Sequence, residues 1–117
     1  MGNWKYFELI AAFYRAFFSL KTQGVTDNES INRTFEDFWF SPEEDNVLVN
    51  MTSLVQYIDV KIALGDEITD QLIDLFNLQL EKLNALKLED YLNPEEIEDL
   101  EDSIEDTVYN IRSLKNK

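Results

Sequence analysis

The stretch NPEEIEDLEDSIEDTVYNIRSLKNK, residues 93–117, decides the fold class of this chain. Asn93 offers an N-cap, Pro94 fills the first helical position and Glu96 the third. Ile97, Leu100, Ile104, Val108 and Ile111 then recur at helical spacing and share one side of a helical wheel. Glu95, Glu98, Asp99, Asp102, Glu105, Asp106 and Tyr109 occupy the other side. Arg112, Lys115 and Lys117 close the segment, where the helix dipole favours cations. An amphipathic helix ending near residue 114 is the expectation.

Upstream, the same period continues. Ile68, Leu72, Leu75, Phe76, Gln79, Leu83 and Leu86 predict a helix over about 67–88. Asp66 would be its N-cap, with Asp70 and Asp74 near the positive end of the dipole. Over 43–64, Val47, Leu48, Met51, Leu54, Val55, Ile58 and Ile62 fit a helix. The β-branched residues at 47–49 and 55–62 make a β-hairpin the alternative. Gly65 would cap the helical version. Thr26 and Glu29 have capping-box spacing and open a helix carrying Ile31, Phe35, Phe38 and Trp39. Ser41-Pro42-Glu43-Glu44 ends that helix and starts the next.

Residues 3–21 form the first helix, which Gly24 ends. Trp4, Phe7, Ala11, Tyr14 and Phe18 make one apolar stripe; Ile10, Phe13, Phe17 and Leu20 make another. A helix apolar around most of its circumference sits centrally in a core or at a subunit interface. Three Gly and two Pro in 117 residues favour few, long helices over many strands and turns. The fold expected is all-α, a single domain over 1–117 with about five helices.

Charge is the second strong signal. The chain carries 24 acids against 10 bases, a net charge of −14. Such a surface repels nucleic acid and anionic lipid and attracts basic proteins. Between Lys87 and Arg112 there is no cation. Glu89, Asp90, Glu95, Glu96, Glu98, Asp99, Glu101, Asp102, Glu105 and Asp106 all fall in that interval. Cysteine and histidine are both absent. Their absence removes thiolate nucleophiles, disulfides, zinc-thiolate sites and the usual general base near neutral pH. No signal peptide or membrane span is expected, because Glu8 and Arg15 interrupt the N-terminal apolar run. A soluble cytoplasmic protein follows.

The candidate partner-binding residues are Glu95, Glu98, Asp99, Asp102, Glu105, Asp106 and Tyr109. A plain solvated face usually mixes both signs of charge. This one carries a single sign, and Tyr109 adds a residue type favoured at interface hot spots. A second acidic group, Asp27, Glu29, Glu36, Asp37, Glu43, Glu44 and Asp45, is explained largely by helix N-termini. No catalytic residue, metal site or cofactor is expected. A di-metal bundle needs Glu-x-x-His, and the alternating calcium loop is missing. The aromatic run 4–18 reads as core rather than a ligand pocket, and the scattered bases make no nucleic-acid footprint.

Size, charge, the missing Cys and His, and the helical pattern resemble the small acidic immunity proteins of bacterial toxin systems. These include the helical colicin-type group and the partners of contact-dependent growth inhibition toxins. The resemblance covers the whole chain as a profile. The colicin-nuclease group carries paired tyrosines on a helix; this chain has no adjacent tyrosines, so no family binding residue carries over. The resemblance implies a non-enzymatic toxin inhibitor that binds a basic toxin, a nuclease by its charge. Two other readings compete. One is a DNA mimic that occupies DNA-binding enzymes. The other is a structural or adaptor module that dimerises through its apolar N-terminal helix.

Overall fold

Two glycines set two of the helix ends. At Gly24 and Gly65 the backbone takes φ of 90° and 74°, the left-handed region that a side chain disfavours. Each glycine stands in a Schellman motif. The N–H of Val25 donates to the Leu20 carbonyl, and that of Asp66 to the Lys61 carbonyl, at 3.1 and 2.9 Å. The structure, a computed structural model, describes residues 6–38 and 47–115. It contains helices α1 (Tyr6–Thr22), α2 (Asp27–Phe38), α3 (Val47–Ala63), α4 (Asp70–Asn84) and α5 (Pro94–Lys115). A single 3-10 turn, Leu88–Asp90, links the last two. Among the described residues there is no strand, so the fold is the expected all-α bundle. Trp4, Trp39 and the start signal Ser41 to Glu44 lie outside the described residues.

The segment open to a hairpin is α3, and it is the centre of the molecule. It packs against α1, α2, α4 and α5. Met51, Leu54 and Ile58 are fully buried, and so is Asn50 on another face. Thr52, Ser53 and Gln56 are buried with them. Burial on all sides outweighs the small helical cost of Val47 and Val55. Of α1, the most aromatic helix, a central place or a subunit interface was expected; within this chain it buries only one side. Tyr6, Phe13 and Phe17 point inward, while Phe7 and Phe18 remain 46% and 54% exposed.

The core has two parts. The larger joins Tyr6 and the α3 side chains to Phe76, Leu83, Leu92, Leu100 and Ile111. The smaller is aromatic and lies between α1 and α2, built on Phe13, Phe17 and Ile31. Phe35 stacks on Tyr57 with ring centroids 4.1 Å apart, and the Tyr57 hydroxyl donates to Asn32 at 2.6 Å. Those contacts fix α2 against α3.

The start of α4 differs from expectation. Thr69 is the N-cap, its hydroxyl accepting the Leu72 N–H at 3.2 Å. Asp66 accepts instead from the Lys61 ammonium at 3.1 Å. That hydrogen bond and charge hold its carboxyl below the usual range. The Schellman turn leaves Asp66 beside the helix it follows, not the helix it precedes.

Candidate functional site

The N-terminus of α5 is tightly built. Asn93 Oδ1 accepts the Glu96 N–H, and Glu96 Oε1 accepts the Asn93 N–H, both at 2.9 Å. This reciprocal capping box satisfies two N–H groups and fixes where the helix begins. From there α5 lies against α3, with Leu100 and Ile111 buried.

The roll of α5 about its axis decides which acids face out. Its buried face is not centred on the apolar stripe but turned towards Ser103 and Thr107. Thr107 is fully buried and its hydroxyl donates to Asp59 on α3 at 2.9 Å. Ser103 is half-buried. The same roll carries Glu101, beside the apolar stripe on an ideal wheel, out to solvent.

The sequence-derived candidates therefore divide. Glu95, Glu98, Asp102, Glu105 and Asp106 are exposed along the outer side of α5, and Tyr109 is 70% exposed. Asp99 is set apart: it is half-buried and accepts the Tyr6 hydroxyl at 2.8 Å. Tyr6 is fully buried, and burial together with the Asp99 carboxylate pushes its phenol well above the ordinary value. Asp99 is tied to α1 as well as facing the surface. Glu101 joins the exposed group in its place. Small polar residues at Ser103 and Thr107, four apart beside Leu100, are the sequence signal for that roll.

No lysine or arginine among the described residues forms an ion pair with Glu95, Glu98, Glu101, Asp102, Glu105 or Asp106. By contrast, Asp27 in the second acidic group pairs with Lys21 at 3.4 Å and, with Glu29, occupies the first turn of α2. Glu36 and Asp37 are exposed on α2, and Glu43, Glu44 and Asp45 lie outside the described residues. Asp59, half-buried on α3, lies beside the ridge. Burial pushes its carboxyl up, the Thr107 hydroxyl partly opposes that, and Asp106 adds to it.

Beside the ridge, an open groove of about 790 Å³ runs between α5 and the end of α4. Among the described residues no three acids converge closely enough to hold a metal ion, and no helix is long and apolar enough to cross a membrane. This face of α5 presents exposed carboxylates and one tyrosine beside a groove lined by both apolar and acidic side chains.

A family model, that of immunity protein Imm3, matches residues 2–116. The chain belongs to the Imm3 family. The immunity-protein resemblance read from the overall profile is thereby placed in a particular family. The match runs from before α1 to the end of α5, so the acidic ridge is part of the Imm3 domain and not an appended tail. No curated protein and no solved structure matches the chain. As an Imm3 protein it has a cognate toxin for a partner.

Proposed function

We propose that this immunity protein neutralises a basic cognate toxin, a nuclease domain, by binding it through the outer face of α5. The observation that carries the reading is the row of six exposed carboxylates without a counter-ion among the described residues. A fold that keeps unscreened like charge on one helix gives up stability to self-repulsion. A cationic partner converts that cost into attraction. A nuclease fits because a protein that grips a polyanionic substrate presents cations of its own.

The inhibitor acts by occupancy rather than by chemistry. It binds the toxin one to one in the cytoplasm of the producing cell and covers its substrate-binding surface. The ridge speeds encounter and rejects wrong partners, and Tyr109 supplies a desolvated anchor. Calorimetric titration of the cognate toxin domain tests this reading. Glu98→Lys, Asp102→Lys and Asp106→Lys combined should weaken binding by at least about tenfold while leaving helical circular dichroism intact. Unchanged affinity with intact helicity overturns the assignment of the surface.

A further inference from the structure

The groove beside the ridge has an unequal lining. Its floor is apolar: Leu83 is buried, and Leu86, Leu88 and Ile97 are half-buried. Its edge is acidic. Glu98, Glu101, Asp102 and Glu105 stand along α5, and Glu89 faces them from the 3-10 turn, all of them exposed. Glu98, Glu101, Asp102 and Glu105 follow helical i, i+3, i+4, i+7 spacing. They extend over two turns, roughly 10 Å of rise. A volume of about 790 Å³ holds several side chains rather than one.

An apolar floor between carboxylates of one sign complements one kind of ligand: a helix with an apolar stripe flanked by lysine and arginine. Polycation alone would satisfy the edge and leave the floor wet. An uncharged apolar helix would cover the floor and leave the edge unpaired. The exposed Phe7 and Phe18 on α1 form a separate apolar surface, where Lys21 lies over the Phe18 ring at 5.4 Å.

We infer that the α4–α5 groove is the seat of a cationic amphipathic helix of the toxin. Its apolar side chains rest on Leu86, Leu88 and Ile97, and its cations reach the four α5 acids. The inference rests on the proposed function and adds to it that recognition needs apolar anchoring as well as charge.

The test is methyl and amide NMR of the full chain with two synthetic peptides. One is a Leu/Lys peptide with leucines at i, i+3, i+4, i+7 spacing; the other is an oligolysine of equal charge. The Leu/Lys peptide should bind about tenfold tighter and shift the methyls of Leu86, Leu88 and Ile97. Combined Glu101→Lys and Glu105→Lys, at exposed positions that the fold does not use, should weaken it about tenfold. Equal binding of both peptides overturns the inference. So does no binding, or a footprint centred on Phe7 and Phe18. The two readings fail separately. If ridge reversal still abolishes toxin binding while the peptide misses the groove, only the groove assignment falls. If toxin binding ignores ridge charge, the proposed function falls whatever the peptide does.

Discussion

On one flank of α5, Asp99 accepts the Tyr6 hydroxyl at 2.8 Å, and Thr107 reaches Asp59 at 2.9 Å. On the other flank, Glu98, Glu101, Asp102 and Glu105 stand exposed along a groove with an apolar floor, without a counter-ion among the described residues. Both flanks belong to one helix and one run of acids. The first ties α5 to α1 through the Asp99 carboxylate and to α3 through the Thr107 hydroxyl. The second leaves its carboxylates exposed to solvent. The difference lies in neighbours far away in sequence, since Tyr6 is 93 residues from Asp99 and Asp59 is 48 from Thr107.

Reversing charge on the free flank should separate the two roles most sharply. Combined Glu98→Lys, Glu101→Lys, Asp102→Lys and Glu105→Lys should lower the toxin association rate by about 10- to 100-fold at low salt. Thermal stability should hold or rise, because self-repulsion falls. Rapid-mixing fluorescence and a melting curve read both quantities. A loss of stability comparable to the loss of binding would erase the distinction between flanks.

Tyr109→Ala comes next, at about 1–2 kcal/mol of toxin affinity. At 70% exposure its removal should leave denaturant unfolding unchanged. The mirror image is Tyr6→Phe on the tied flank. Losing the hydroxyl bonded to Asp99 should cost about 1–2 kcal/mol of folding stability, with the toxin dissociation rate unaltered. An altered dissociation rate would place Asp99 within the contact surface after all.

The smallest effects concern pH. The Asp59 carboxyl is raised above its ordinary 3.8 by burial, with Asp106 adding to the shift. Its stabilising contribution is full below the unfolded value and is lost as pH rises through the folded one. Asp66 is lowered and behaves oppositely: its contribution is present above 3.8 and is lost as pH falls through its depressed value. Asp59→Asn should therefore improve stability slightly near neutral pH and flatten the profile above about pH 4. Asp66→Asn should flatten it in the acid range instead. Urea midpoints measured across pH distinguish the two, and identical profiles would contradict both assignments.

Helix ends marked by a glycine or a capping box were the most legible part of the sequence, because caps are local; α4, expected to run to about 88, has no such mark and ends at Asn84. Gly24, Gly65, Thr26 and the Asn93–Glu96 box all stand where their spacing puts them. Asp66 misled because two hydrogen-bonding residues, Asp66 and Thr69, precede the same helix, and the Lys61 contact that claims Asp66 belongs to the turn before. The centre of the bundle was harder to read. Burial of Asn50, Thr52, Ser53 and Gln56 blurs the amphipathic pattern of α3, whereas aromatic residues on two faces of α1 exaggerate its claim. The acidic ridge was legible as a helix face. Its edge was not, because a wheel carries no information on which flank packs. Thr107 bonding to Asp59 rolls α5, draws Asp99 towards α1 and turns Glu101 outward.

The central claim is that the exposed carboxylates of α5 recruit the toxin. The association rate of the cognate toxin domain with the unaltered protein, followed from low to high salt, tests it most directly. The account predicts a steep fall, by an order of magnitude or more, as ionic strength screens the ridge. A rate indifferent to salt would contradict it.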